Sequence, residues 1–338
     1  MKICVVGAGA IGGLLGVKLA QAGYEVTLNA RGAHLEAIRA GGLKLIAEDD
    51  SESVARLRAT GKIGEAGPQD LVILGMKAHQ VGAVVKDLPS MYQSETMVLT
   101  AQNGIPWWYF MKHGGAHEGK RLQSVDPGGV VADHLPVERV VGSVVYPAAE
   151  ITAPGVIKHI EGNRFSVGEI DNSDTPRIRA VSVALRQAGF KAPVLTDIRS
   201  EIWTKLWGNL TFNPISALTR ATLVDICEDA GTRQLAVEMM TEAQHVARCF
   251  GVTMRVPLEK RIAGAAKVGR HKTSMLQDVE AGRTLEIDAL LGAVVELARL
   301  ADTPTPHLDA VYALTRLLAN VAAAERTASA VVPRAAGA

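Results

Sequence analysis

At 338 residues the chain is longer than one ordinary core supports, and its 48% hydrophobic and 21% charged residues give the balance of a soluble protein of two domains. A net charge of +1 with no run of Lys and Arg excludes the electrostatic footprint of a nucleic-acid binder. The three cysteines, Cys4, Cys227 and Cys249, are widely spaced, which excludes a disulfide framework and suits a reducing compartment. No apolar run reaches the roughly 18 residues of a membrane span, so a cytoplasmic location is expected. The scattered histidines have no metal-ligand spacing, and no metal is expected.

Lys2 to Val6 is a β-branched run that predicts a strand. It stops at Gly7-Ala8-Gly9-Ala10-Ile11-Gly12, after which Leu14, Leu15, Val17, Leu19 and Ala20 mark a helix ending near Gly23. A second strand, Glu25 to Leu28, closes a βαβ unit. Strand, glycine turn and helix in this order are the context of the dinucleotide fingerprint. Gly7 allows the tight turn, Gly9 lets the backbone approach a pyrophosphate, and Gly12 lets the helix pack on the strand. The helix N-terminus then offers N–H groups and partial positive charge to phosphates. A glycine-rich turn that serves structure alone is the competing reading.

The end of the second strand decides the cofactor, because an acidic residue there would bond the ribose 2′-hydroxyl of NAD. The chain reads Leu28-Asn29-Ala30-Arg31-Gly32, which puts a guanidinium where a 2′-phosphate would lie and favours NADP(H). The competing reading is that Arg31 merely opens a surface helix over Ala33 to Ala40.

Further strands fit Leu43 to Ala47, Leu71 to Gly75 and Met97 to Ala101, and polar residues follow the last two at the end where open α/β sheets bind ligands. These are Lys77, a candidate for phosphate or ribose, and Asn103 in Gln102-Asn103-Gly104, a candidate for nicotinamide ribose or substrate. Asn-Gly alone is more often a turn. Pro106-Trp107-Trp108-Tyr109-Phe110 then gathers four aromatics in a chain only 4% aromatic, either as core or interface or as a pocket wall. Val140 to Tyr146, Val156 to Ile160 and Arg164 to Val167 are strand-like, and their short turns favour antiparallel pairing. A helix from about Thr175 to Gly189 and a strand Ala192 to Thr196 complete a first domain over 1–197.

From Ile198 the pattern is helical: Ile198 to Leu218, Arg233 to Phe250, Leu258 to Val268, Ser274 to Ala281, Leu285 to Leu300 and Leu308 to Ala322. The expected architecture is an α/β Rossmann-type dinucleotide-binding domain followed by an all-α domain over 198–322, with 323–338 expected to fray. Within the first helix of this half, Lys205, Asn209 and Asn213 stand at i, i+4 and i+8. Each step of four residues turns about 40° past a full turn, so the three make one narrow polar stripe, with Trp203, Leu206, Trp207 and Leu210 beside it. Asn is a poor residue inside a helix because its amide competes for backbone bonds, so two of them beside an ammonium suggest a site that must hydrogen-bond something. A solvated face with a Glu201-Lys205 pair at i,i+4 is the blander possibility. Ser274 reads as a helix cap bonding the N–H three residues on or as a substrate contact, and Glu286 as a first-turn carboxylate facing the helix dipole.

The combination of Gly7 to Gly12, Lys77, Gln102-Asn103-Gly104, Lys205-x-x-x-Asn209-x-x-x-Asn213-Pro214, Ser274-Met-Leu-Gln-Asp278 and Glu286-Ile-Asp288 resembles the ketopantoate reductase (2-dehydropantoate 2-reductase) family over about residues 1 to 320. The resemblance implies a Rossmann domain joined to a helical one. It also implies Lys205 as proton donor, Asn103, Asn209, Asn213 and Ser274 as substrate holders, and Glu286 completing the site near the nicotinamide. The activity implied is NADPH-dependent reduction of a 2-keto acid, with 2-dehydropantoate the best single guess. The aromatic run after Gly104 and the segment Thr219-Arg-Ala-Thr-Leu223 depart from the family pattern, which leaves room for another 2-keto acid as substrate. A β-hydroxyacid dehydrogenase, which also pairs Lys with Asn four residues on, and a non-catalytic NADP-binding sensor are compatible with the same residues. A homodimer is compatible with the sequence, which does not itself fix the oligomeric state.

Overall fold

The computed structural model describes residues 1–254 and 256–331. It divides into two compact units, one from Met1 to Glu201 and one beginning at Ile202, a few residues beyond the expected change at 197.

The first unit runs through β1 (Lys2–Val6), α1 (Ala10–Gln21), β2 (Glu25–Asn29), α2 (Gly32–Gly41), β3 (Leu43–Ile46), β4 (Glu52–Ala55), β5 (Arg58–Thr60), β6 (Leu71–Leu74) and β7 (Met97–Thr100). It continues through a short α3 (Val130–His134), β8 (Val140–Val145), β9 (Ala148–Ala153), β10 (Val156–Glu161), β11 (Phe165–Glu169) and α4 (Pro176–Gln187). Seven strands form one sheet in the order β11-β8-β7-β6-β1-β2-β5. It is parallel except for β11, which runs antiparallel to β8. Strands β6 and β7 are buried along their whole length, as expected of parallel strands covered on both faces, which read as unbroken apolar runs. From β1 the chain builds outward to β2 and β5, then returns to β6 on the other side, so the strand order reverses between β1 and β6. Ligands bind at such a reversal.

A second sheet, β4-β3-β10-β9, carries the difference from the sequence reading. The three strands after Val140 do not pair in succession. β8 pairs with β11, while β10 leaves for the small sheet, antiparallel to β9 and parallel to β3. Strand β9 is half-exposed to exposed throughout, so it has no apolar alternation to betray it. The expected strand over Ala192 to Thr196 survives only as isolated bridges, Arg164 to Lys191 and Val167 to Val194, because Pro193 has no N–H for a ladder. The run Trp107 to Phe110 is buried. Trp108 donates its indole N–H to Thr100 Oγ1 at 3.0 Å and Tyr109 meets Phe110 edge to face at 5.0 Å, so these rings are core of the first unit. Cys4 lies buried in β1, and burial pushes its thiol up to about 12, which makes it an inert packing residue.

Helix α5 (Ile198–Thr219) starts in the first unit, where its first turn is fixed. The buried Arg199 donates to the carbonyls of Tyr109 and Met111, both at 2.8 Å, and of Ile170 at 2.5 Å. Such a guanidinium is retained in the interior because its donors are satisfied. The second unit holds the rest of α5 and then α6 (Leu223–Glu228), α7 (Ala230–Cys249), α8 (Leu258–Lys267), α9 (Ser274–Glu280), α10 (Ala293–Leu300) and α11 (Pro306–Val331). Its core takes Trp203 and Trp207 from α5 and Ala236, Met239, Met240 and Ala243 from α7. Trp207 Nε1 donates to the Met240 carbonyl at 2.7 Å. The expected single helix from Leu285 instead begins at Ile287 and opens with a π-helical turn over Asp288–Gly292 before α10. Fraying from residue 323 is not what the structure has over 323–331, where α11 continues. Alanine carries the lowest helix cost of any residue and needs no apolar stripe to stay helical. Residues 332–338 lie outside the described residues.

Candidate active site

In the first unit the expected cofactor residues gather where β1, β6 and β7 end. Gly7 has φ +93°, the left-handed region open to glycine, and a Cβ on Gly12 would overlap the Gly7 carbonyl oxygen, so helix and loop touch backbone to backbone. Gly9 differs. A Cβ there would meet nothing nearer than the Gly75 carbonyl oxygen at 3.9 Å, so the protein's own packing does not require glycine at this position. The N–H groups of Gly7 and Ala8 donate to the Asn29 carbonyl at 3.2 and 2.9 Å, fixing the loop to the end of β2. Ala10 and Ile11 open α1, whose start no described side chain caps, leaving its positive end for an anion.

Lys77 lies three residues past β6 and Asn103 three past β7, both half-buried. Gln102 ties these two loops together, donating to the carbonyls of Leu74 at 2.6 Å and Met76 at 3.2 Å. Arg31 is exposed at the start of α2. Asn29 is turned away from it, its amide donating to the Thr60 carbonyl at 3.2 Å. His34 faces inward as well, its Nδ1 accepting the Gly155 N–H at 2.9 Å. Among these three, the guanidinium is the group presented to solvent.

In the second unit the polar stripe of α5 stands as the spacing predicts, with Lys205 and Asn209 half-buried and Asn213 buried. The bland pairing of Glu201 with Lys205 is displaced: the Glu201 carboxylate accepts from Arg164 at 2.7 Å, Tyr146 at 2.8 Å and Ser166 at 3.3 Å. Burial brings the Lys205 ammonium down to about 8, against the pull of the Glu286 carboxylate, which raises it. Lys205 and Glu286 are therefore within electrostatic reach, although far apart in sequence, and a lysine so tuned changes charge near neutral pH. Glu286 is half-buried and immediately precedes the helical turn at Ile287, so it is not in the first turn as expected.

Ser274 does not cap its helix. Thr273 does, accepting the Leu276 N–H at 3.3 Å, and the Ser274 side chain is left exposed at the start of α9. Thr273→Ala is accordingly expected to cost about 1 kcal/mol, the usual worth of a cap, and Ser274→Ala almost nothing in stability. Thermal melts of the two variants check this, and a larger loss at Ser274 would return the cap to that residue.

Arg261 of α8 escaped the sequence reading. A Cβ on Gly208 would overlap its guanidinium, so Arg261 packs directly against α5 at Gly208. Glycine inside a helix costs roughly 1 kcal/mol, and that cost at Gly208 was the signal available in the sequence.

An uncapped glycine-loop helix at the reversal point of a parallel sheet, followed by a helical unit with a tuned lysine, defines a dinucleotide-binding oxidoreductase of the Rossmann type. The family model described as ketopantoate reductase PanE/ApbA matches residues 3–172, and the one described as ketopantoate reductase PanE/ApbA C terminal matches residues 197–319. The chain belongs to the ketopantoate reductase family. It is 54% identical to the 2-dehydropantoate 2-reductase of Mesorhizobium japonicum, over 94% of this chain and 98% of that protein. It is 29% identical to the one of Pyrococcus horikoshii, over 94% of this chain and 97% of that protein. A Ralstonia solanacearum crystal structure, provisionally named a ketopantoate reductase, superimposes with a TM-score of 0.91 at 38% identity, covering 95% of this chain and 98% of the other.

Proposed function

We propose that this chain is an NADPH-dependent 2-dehydropantoate 2-reductase, acting on a small 2-keto acid in the cytoplasm. Among the described residues no helix is long and apolar enough to cross a membrane. The observation that carries the chemistry is Lys205, buried enough to bring its ammonium to about 8 while Glu286 holds its proton on. When bound, the dinucleotide supplies a hydride to the ketone carbon. As that bond forms, negative charge grows on the ketone oxygen. Protonated Lys205 stabilises the charge and gives up its proton there, yielding the 2-hydroxy acid.

Asn209, Asn213, Ser274 and Asn103 orient the hydroxyl and carboxylate oxygens of the substrate. Being neutral, they do so without competing for the lysine's charge. Gly7 to Gly12 receive the pyrophosphate, Arg31 the 2′-phosphate, and Lys77, Asn103 and Glu286 the rest of the cofactor. The presence of both Lys205 and Glu286 favours an enzyme over a sensor that has lost turnover.

The deciding experiment measures NADPH oxidation across a panel of 2-keto acids. 2-Dehydropantoate is expected to exceed acids lacking its hydroxymethyl group by roughly 10⁴-fold in kcat/KM, the discrimination available to a site built to bond a substrate hydroxyl. A higher value for another acid would assign that acid as the substrate.

A further inference from the structure

We infer that Tyr312 and Asp288 are positioning residues for Glu286: the Tyr312 hydroxyl, bonded to the Asp288 carboxylate, holds the π-helical turn that sets the direction in which Glu286 leaves the helix. The inference rests on the reading of Glu286 under the proposed function.

The turn over Asp288–Gly292 lies between Glu286 and α10, and it closes where the Ala293 N–H donates to the Asp288 carbonyl, five residues back. A π turn holds one residue more than the α-helical turn it replaces. Were it to tighten to α, the chain before it would rotate by about 100° and shift by about 1.5 Å relative to α10. Glu286 stands two residues before the turn, so that rotation would carry its carboxylate to another face. Such turns are rare, and they recur at functional sites.

The first and last residues of the turn are held by the same phenol. Tyr312 of α11 donates its hydroxyl to Asp288 Oδ1 at 2.8 Å. A Cβ on Gly292 would lie 2.9 Å from the Tyr312 hydroxyl oxygen, 3.1 Å from its Cζ and 3.3 Å from Asp288 Oδ1. The bonded pair therefore presses on the one residue of the turn that has no side chain, and a poor helix former stands where the hydroxyl must approach backbone. The ring is steadied from its own helix, with the Arg316 guanidinium 5.5 Å from its centroid. Burial, and then the Asp288 carboxylate, pushes the phenol above its ordinary 10, so it stays a donor well into alkaline solution.

Packing alone does not account for this cluster. Leu285 and Ile287 on either side of Glu286, and Leu290 and Leu291 within the turn, are buried, whereas Asp288 is exposed. A carboxylate at the start of a helix also meets the positive end of the dipole, but that effect needs neither a phenol aimed at it nor a glycine four residues on.

The test is the steady-state kinetics of the full chain with NADPH and the preferred 2-keto acid, in Tyr312→Phe, Asp288→Ala and Asp288→Asn, and in Tyr312→Phe combined with Glu286→Ala. Tyr312→Phe and Asp288→Ala each remove the bond and are expected to lower kcat/KM about tenfold, inside what a misplacement of about 1 Å costs. Asp288→Asn keeps an oxygen that accepts from the phenol and should stay within about twofold of wild type. In the Glu286→Ala background, Tyr312→Phe should have less than about a twofold further effect, because a residue acting through Glu286 has nothing left to position. A tie that served stability alone would cost the same in both backgrounds. Wild-type kcat/KM in Tyr312→Phe, or an equal loss in both backgrounds, would overturn the inference, as would an Asp288→Asn enzyme as slow as Asp288→Ala. A Glu286→Ala enzyme with wild-type kinetics would overturn it together with the reading of Glu286 beneath it.

Discussion

Lys205→Ala should lower kcat for 2-keto acid reduction by at least ~10²-fold, the lower end of what a positioned general acid contributes, and leave NADPH affinity unchanged. Lys205 stands on the polar stripe of α5 with Asn209 and Asn213, and its charge is sensed by Glu286. Without the ammonium, the growing oxyanion loses both its electrostatic partner and its proton source, and water must supply the proton. Glu286 raises the Lys205 value, so Glu286→Gln should move the loss of activity in alkaline solution to lower pH, because the ammonium then gives up its proton more readily. Stopped-flow measurement of NADPH oxidation in both variants checks these outcomes. A Lys205→Ala enzyme with wild-type kcat would remove the lysine from the chemistry.

Arg31→Ala should cut the preference for NADPH over NADH by roughly ten- to a hundredfold, the effect of one charge-assisted hydrogen bond. A guanidinium meets a phosphate in a forked geometry, whereas the 2′-hydroxyl of NADH offers it no charge, so kcat/KM with NADH should hold. Asn29 and His34 could have shared this phosphate on sequence grounds. With the Asn29 amide on the Thr60 carbonyl and His34 Nδ1 on Gly155, Arg31 carries more of the preference. Comparison of kcat/KM with the two nucleotides decides it, and a mutant as selective as wild type would leave Arg31 a surface arginine.

What could be read from the sequence was what local physics dictates. The glycine loop was legible because a positive φ at Gly7 and backbone contact at Gly12 leave no other residue type a place. The stripe on α5 was legible because helical geometry fixes which residues share a face. The small sheet was not, since β9 is too exposed to show alternation and β10 pairs with the distant β3. Thr273 and Ser274 can each cap a helix, and only the backbone decides which hydroxyl reaches the N–H. Arg261 was hidden because its meaning lies in packing against Gly208, a contact between separate helices.

The most direct test is the pH dependence of kcat/KM for reduction of 2-dehydropantoate with saturating NADPH, in wild type and Lys205→Ala. An acid must hold its proton to act, so the wild-type value should be level at neutral pH and fall above pH about 8, where Lys205 loses its proton. The residual rate of Lys205→Ala should show no such break. A wild-type profile level to pH about 10, the range of an unperturbed lysine, or the same break persisting in Lys205→Ala, would contradict the assignment of Lys205 as the proton donor.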